Sequence, residues 1–223
     1  MSFFDLFNPE FYINLGGIWL LLFIVFAETG LMFGFFLPGD SLIFISGIYS
    51  SQLIDSLISG GTGSDFLDLL LLIILLCICG ISGNIVGYWF GEKSGPHLFN
   101  KKDSWIFKKK YLIQAQKFYD EYGAQTIIFA RFLPTVRTFV PIVAGVINMN
   151  KAKFMFYNVI GAIAWIVSMS MAGHYLNKFL LEKYDIDLKG NLELIVLGLI
   201  IITTLPFVWK YFSSKKKNSN QNH

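Results

Sequence analysis

The first 92 residues contain no lysine and no arginine, although they include eight acidic residues. Across the chain, charged residues make up only 15% and hydrophobic residues 54%, which excludes the composition of an ordinary soluble domain. The N-terminus also lacks basic residues before its apolar run and a small-residue cleavage site, so we expect no removable signal peptide. These absences predict an integral membrane protein.

Side chains suited to catalysis or metal binding are scarce. Cys77 and Cys79 lie one residue apart inside an apolar run, which predicts neither a disulfide framework nor a metal site. The three histidines, His97, His174 and His223, do not supply the histidine pair and acid of a lipid phosphatase, and the Gly-x-Ser-x-Gly elbow of serine hydrolases is missing. We therefore expect no enzyme activity, no metal and no cofactor. His174 is interpreted as an interfacial histidine, with a role in proton transfer as the alternative.

Four apolar runs have the roughly 18 residues or more that a bilayer-spanning helix needs. They lie at about 15–36, 66–90, 154–176 and 192–209. Two shorter apolar pieces, at 41–49 and 126–147, are interrupted by glycine, proline or arginine. The pattern predicts an all-α membrane protein.

Basic residues form two clusters, at 101–117 and 210–217. Because basic segments stay on the cytoplasmic side, an even number of crossings must separate the clusters. Three apolar segments lie between them, so one of the three must enter and leave on the same side. The segment that contains Arg131 and Pro134 fits this role, which predicts a re-entrant hairpin at about 125–148 that opens to the cytoplasm.

The first half of the chain supports a second hairpin. The loop at 51–68 carries three aspartates and no basic residue, so we expect it on the outer side. A hairpin at about 28–50 is then predicted, with Pro38 and Gly39 at its tip and its mouth outside. A single long helix through Glu28, followed by a short interfacial piece, stays open as the alternative.

Two hairpins of opposite orientation predict an inverted repeat, as in transporters whose sites lie near the bilayer midplane. Short internal matches agree, because Phe-Leu-Pro recurs at 36–38 and 132–134, and Asn-x-x-Gly recurs at Asn84 and Asn158. Broken helices at membrane depth need protein or water to cover their free backbone groups. A polar cavity is therefore expected.

The chain is interpreted as one transmembrane domain, residues 1–212, followed by a disordered polar tail at 213–223. A lysine-rich segment with interleaved aromatic residues, at about 97–120, is expected to lie on the anionic inner leaflet as an amphipathic stretch. Because the lipid headgroups account for these lysines, we expect no binding of nucleic acid. The C-terminus should be cytoplasmic, and the orientation of the N-terminus is not assigned.

Four charged residues stand beside prolines in the two broken segments, Glu28 and Asp40 in the first and Arg131 and Arg137 in the second. Charges at bilayer depth are costly, so these residues are a candidate site. Two structural alternatives stay open. The arginines would merely neutralise the acids in one, and Asp40 would cap a half-helix in the other.

Four motifs occur in order: Glu28-Thr29-Gly30; Phe36-Leu37-Pro38-Gly39-Asp40; Gly83-Asn84-x-x-Gly87-Tyr88-x-x-Gly91; and Arg131-Phe132-x-Pro134-x-x-Arg137-Thr138 followed by Gly145. Together they resemble the DedA family, also called VTT or SNARE-associated domain proteins, over about residues 17–178. The resemblance implies a lipid flippase or scramblase of the bacterial cytoplasmic membrane that has two re-entrant hairpins and depends on the proton gradient.

The resemblance also implies residue roles. Glu28 and Asp40 would couple transport to protons, and Arg131 and Arg137 would bind the lipid phosphate, because a guanidinium fork matches phosphate oxygens. We favour Glu28 as the proton carrier because its neighbours are mostly apolar. The supporting hairpin and cavity residues are Pro38, Gly39, Asn84, Gly87, Pro134, Thr138, Gly145 and Asn158.

The expected function is proton-linked flipping of a phosphate-bearing lipid, with undecaprenyl phosphate as the preferred cargo. Phosphatidylethanolamine or another phospholipid is the alternative cargo, and a membrane assembly factor without transport is the alternative class. The expected partners are the lipid and the bilayer, with a homodimer left open. In the expected mechanism, an acid released by the arriving phosphate takes up a proton.

Overall fold

The computed structural model describes residues 9–31, 39–100, 117, 119–132 and 134–184, and within these residues it is helical and has no strand. This confirms the all-α prediction for that part of the chain. The eight helices are α1 (Pro9–Gly30), α2 (Gly39–Ile48), α3 (Ser50–Asp55), α4 (Asp65–Asn100), α5 (Thr126–Ala130), α6 (Pro134–Arg137), α7 (Val140–Val146) and α8 (Lys151–Tyr184).

Two of these helices are long and apolar enough to cross a membrane, over Asp65–Gly95 in α4 and Lys151–Tyr184 in α8. The predicted apolar runs at 66–90 and 154–176 fall inside them. Their outward faces carry large exposed apolar side chains, such as Ile78 and Phe156. Such a surface is expected to contact lipid. The run at 192–209, the lysine clusters and the C-terminal tail lie outside the described residues, except Lys117.

The predicted first hairpin, at about 28–50, begins within the last turn of α1. Helix α1 continues through Glu28 and ends at Gly30, as in the alternative interpretation. No helix breaker stands between Gly17 and Gly30, and the Thr29 hydroxyl bonds to the Val25 carbonyl oxygen at 2.8 Å, one turn back in the same helix. The helix bends instead at Gly17, where φ is +55°. The expected tip residue Pro38 lies outside the described residues, and re-entry of this segment stays a prediction.

The segment at 125–148 is broken into three short helices, α5 to α7. The first break follows Ala130 and the second follows Arg137, and proline starts α6 and lies in the first turn of α7. A proline lacks the N–H that a helix interior needs, so it is tolerated at these first turns. The predicted interruption is present, whereas its re-entry from the cytoplasmic side stays a prediction.

The two halves of the chain exchange their short helices. Helix α2 of the first half packs on α8 of the second half, and α7 of the second half packs on α4 of the first half. Both contacts use glycines whose missing Cβ would overlap a backbone oxygen of the partner helix. These pairs are Gly47 with Ser170 and Gly173 with Phe44 for α2 on α8, and Gly145 with Tyr88 and Gly91 with Ile142 for α7 on α4. Such close approach is what small residues permit between membrane helices.

The main hydrophobic core joins α1, α2, α3, α4 and α8 through buried side chains such as Val25, Leu42, Leu72 and Ile166. A smaller cluster, which includes Ile127, lies under α5 and α7 against α4 and α8. The cavity that Arg131 and Arg137 border is lined by residues of both clusters, Trp165 from the main core and Ile127 from the smaller one.

Candidate functional site

Arg137, the last residue of α6, is held by groups from three other helices. Its Nη2 donates to Glu28 Oε1 of α1 at 2.5 Å, and its Nη1 donates to Asp40 Oδ1 of α2. The face of Trp165, from α8, lies 4.3 Å from the guanidinium carbon, which is a cation–π contact. The Arg137 and Glu28 side chains are 7% and 5% exposed, and Asp40 is 21% exposed. One arginine therefore joins both predicted acids.

The carboxyl group of Glu28 touches the start of α2. Its Oε2 lies where a Cβ on Gly39 would be, so the close approach requires glycine at that position. The same oxygen has no hydrogen-bond partner among the described residues. The N-terminus of a helix carries partial positive charge, which favours a carboxylate there. Glu28 thus holds one oxygen on Arg137 and leaves the other without a donor.

Arg131 lies apart from both acids. It follows α5, and its Nη2 donates to Asn158 Oδ1 of α8. Asn84 of α4 donates to the same oxygen at 2.9 Å. Gly161 leaves room for the arginine, because a Cβ there would be 2.8 Å from Arg131 Cδ. The asparagines of the two Asn-x-x-Gly motifs therefore come together beside Arg131. Of the two arginines, only Arg137 contacts the two acids.

The positive charge on Arg131 has no opposite charge beside it. Arg131 is 6% exposed, and no carboxylate in the described part of the chain forms an ion pair with it. A buried charge without a counter-charge is costly, whereas an anion placed there would be stabilised. These two guanidiniums are the only ones in the chain, because its sequence contains no other arginine.

A small cavity of about 10 Å³ lies between the two arginines, and Thr29, Asn84, Asn158 and Trp165 also line it. That volume suits about one water molecule. A phosphate group requires α5 and α6 to move away from α8, or the Arg137 side chain to leave its acids.

The supporting residues that the sequence predicted have the following places. Thr138 and Asn158 are buried. A Cβ added at Gly87 would lie 3.3 Å from Pro141 Cβ, and Gly145 packs on the α4 backbone. Pro134 begins α6, and Pro38 lies outside the described residues.

His174 lies outside this cluster. His174 Nδ1 is 3.3 Å from Ser50 Oγ. His174 does not line the arginine cavity. Among the described residues no group of histidine, cysteine and acidic side chains could hold a metal ion.

Sequence reasoning missed Trp165. The available signal is spacing, because Asn158, Gly161 and Trp165 follow one another at i, i+3 and i+7 and so share a helix face. The tryptophan was counted only as part of an apolar run. Its face toward Arg137 makes it a positioning residue for that guanidinium.

The VTT domain family matches residues 37–175, a range that contains Asp40 and both arginines. Protein DedA of Escherichia coli is 36% identical over 203 residues, which cover 90% of this chain and 85% of that protein. The chain belongs to the DedA family. Like its relatives, this DedA-family chain is a membrane protein.

Two further relatives carry membrane descriptions. An uncharacterized membrane protein of Mycobacterium tuberculosis is 33% identical over 208 residues, covering 91% of this chain and 84% of that protein. Inner membrane protein YqjA of Escherichia coli is 28% identical over 210 residues, covering 91% and 88%. No solved structure matches the DedA-family chain.

Proposed function

We propose that this DedA-family protein is a proton-linked transporter that moves a phosphate-bearing lipid, preferably undecaprenyl phosphate, across the bacterial cytoplasmic membrane. The observation that carries the proposal is the buried Arg131, which has no described carboxylate partner and shares a cavity with Arg137. The two guanidiniums present planar donor forks to one small space, and such forks match phosphate oxygens.

The mechanism is an exchange of partners at Arg137. The incoming phosphate first binds Arg131, then takes Arg137 from Glu28 and Asp40. Each released carboxylate is left in a low-dielectric interior without a counter-charge, where it takes up a proton. Departure of the phosphate reverses these steps, because the arginine returns to the acids and the acids release their protons.

Charge neutrality sets the number of protons. The two acids and the two arginines sum to no net charge, although both acids pair with Arg137 and Arg131 bonds to Asn158. A phosphate monoester brings a charge of about −1.5 to −2, so about two protons must accompany it if the buried site is to stay neutral. Phosphatidylethanolamine is a zwitterion, because its ammonium group balances its phosphodiester charge, so its whole headgroup needs no accompanying proton. Two acids at one arginine therefore favour the monoester.

No covalent chemistry is required for this cycle. We propose transport without enzyme activity, without a metal and without a cofactor other than the proton gradient. The proposed partners are the lipid and the bilayer around it, and the proposed orientation places the lysine-rich segments and the C-terminus in the cytoplasm. Undecaprenyl phosphate is preferred because of the family resemblance together with the charge count.

The test is reconstitution in liposomes with a leaflet-specific assay for undecaprenyl phosphate and, separately, for phosphatidylethanolamine. A pH gradient and a potassium diffusion potential are imposed one at a time. We expect the monoester to follow the pH gradient and to respond little to the potential, because a dianion moving with two protons carries no net charge. Matched variants are Arg131→Ala and Glu28→Gln, with the exposed Lys153→Ala and Glu121→Gln as controls.

We expect both site variants to lose most of the lipid movement and both controls to retain it. Wild-type rates in Arg131→Ala and Glu28→Gln would refute the proposed site. Movement of phosphatidylethanolamine alone, without dependence on the pH gradient, would replace the monoester as the cargo and remove the proton coupling. No lipid movement by correctly folded wild-type protein would leave the assembly-factor class as the remaining interpretation.

A further inference from the structure

A second and larger cavity lies beside the arginine cavity. Its volume is about 240 Å³, and its walls come mainly from α5, α6 and α7. The lining residues carry no charge, and the Thr126 hydroxyl among them donates to the Gly123 carbonyl oxygen at 2.9 Å. Representative apolar side chains are Val136, Val143 and Ile147. We call this cavity the apolar groove.

The apolar groove lies directly beside the arginine cavity and shares two wall residues with it. Ile127 and Val140 line both cavities, so one side of each of these side chains faces the groove and the other faces the charged site. Large exposed apolar side chains surround the same short helices, among them Phe129 at 71% and Phe132 at 53% exposure. An apolar surface of this kind on a membrane protein is expected to face lipid chains.

We infer that the apolar groove holds the hydrocarbon chain of the lipid whose phosphate binds Arg131 and Arg137. This inference rests on the proposed function and adds a chain-recognition site to it. The arrangement matches the order of groups in a lipid phosphate, because the anion site lies next to an uncharged groove and only the side chains of Ile127 and Val140 belong to both walls. The headgroup and the first carbons of the chain are then bound by one continuous wall, α5 to α7.

The groove has to act together with the arginines. A chain that leaves the bilayer for the groove gains little from the hydrophobic effect, since lipid tails are as apolar as the lining side chains. An ordinary membrane lipid therefore has no reason to occupy the groove in preference to the bilayer. A lipid held by its phosphate has its first carbons placed in the groove, which makes occupancy depend on the headgroup.

The experiment uses full-length protein in detergent and a polyprenyl phosphate with a diazirine on the first carbons of its chain. Photolysis followed by peptide mapping locates the adducts. Unlabelled polyprenyl phosphate and the uncharged polyprenyl alcohol serve as competitors. Val143→Phe and Ala130→Phe fill the groove, and the matched controls are Val86→Phe and Ala172→Phe on exposed faces of α4 and α8.

We expect adducts on the lining of α5 to α7, competed by the phosphate and not by the alcohol. Each filling variant should lower them about tenfold, the scale for a misfit in an apolar pocket, and the controls should leave them unchanged. Inorganic phosphate should protect against thermal unfolding equally in wild-type and filled proteins, which shows that the filled variants are folded.

Three results would overturn the inference. Adducts only on other surfaces would mean that the groove is not the binding site of the hydrocarbon chain. A complete lack of adducts would mean that another part of this protein occupies the groove. Undiminished adducts in Arg131→Ala would mean that any membrane lipid enters it. Failure of the proposed function is distinguishable, because it appears as lipid movement that does not depend on Arg131 or Glu28, whatever the adduct pattern.

Discussion

Asn158→Asp should weaken the anion site and leave the fold intact. The side chain keeps its shape, and its carboxylate stands where Asn158 Oδ1 now accepts from Arg131 and Asn84. The substitution gives Arg131 the counter-charge that it lacks among the described residues. An arriving phosphate must then compete with a permanent internal anion.

The new charge pair should change the free energy of unfolding little and lower the affinity for phosphate strongly. Opposite unit charges at 4 Å attract by about 4 kcal/mol at an effective dielectric constant of 20. Burying a second ion costs several kcal/mol, so the free energy of unfolding should change by no more than about 2 kcal/mol. A phosphate that loses its charge-assisted bond to Arg131 loses about 1.5–3 kcal/mol, which is about 10- to 100-fold in affinity.

The assay compares two measurements on the same preparation. Thermal unfolding of the detergent-solubilised protein reports stability, and binding of radiolabelled polyprenyl phosphate reports the anion site. Asn150→Asp is the control, because Asn150 is exposed and accepts from the Lys153 backbone N–H, a bond that aspartate also accepts. Wild-type affinity and flipping in Asn158→Asp, with unchanged stability, would refute the assignment of Arg131 as the unpaired phosphate-binding group.

Three further predictions concern the packing that holds this site. Gly39→Ala places a methyl group on the Glu28 carboxyl and should impair lipid movement more than stability, measured by flipping assay and thermal unfolding. Trp165→Leu removes the cation–π contact on Arg137, worth about 2 kcal/mol when desolvated, and should lower thermal stability and flipping together. Gly145→Ala drives a methyl group into the α4 backbone and should cost about 1–3 kcal/mol or more of stability, measured by denaturant unfolding in detergent.

Each of these variants has a control in the same chain. Gly80→Ala serves both glycine variants, because its Cβ would meet only the tip of the Ile166 side chain at 3.2 Å. Trp19→Leu serves the tryptophan variant, because Trp19 is largely exposed. Equal behaviour of a variant and its control would show that the corresponding contact does not support the site.

The sequence predicted the features that depend on local pattern. Apolar run length located α4 and α8, and prolines located the interruptions at α6 and α7, because span length and helix breaking are local properties. Helix α1 runs on through Glu28 to Gly30, since a single acid does not end a helix whose backbone bonds are otherwise complete.

The partners of each arginine could not be predicted from local sequence patterns. Arg137 and Glu28 are 109 residues apart, and Arg131 and Asn158 are 27 apart, so their pairing is decided by how α1, α5, α6 and α8 pack. Sequence reasoning grouped the four charges by type and proximity to proline. It had no basis for separating Arg131 from the acids or for placing Trp165 on Arg137.

The exchange of short helices between the halves has a consequence for biosynthesis. Chains grow at about 5–20 residues per second, and 109 residues separate Glu28 from Arg137, so the acid is made about 5–20 s before its cation. The packing surface for α2 on α8 is made later still, because Gly47 contacts Ser170. During that interval Glu28 and Asp40 have no arginine to pair with, because both arginines are made later. A chain stopped after α7 would contain the complete charge cluster and still have no Asn158 for Arg131, no Trp165 for Arg137 and no helix on which α2 can pack.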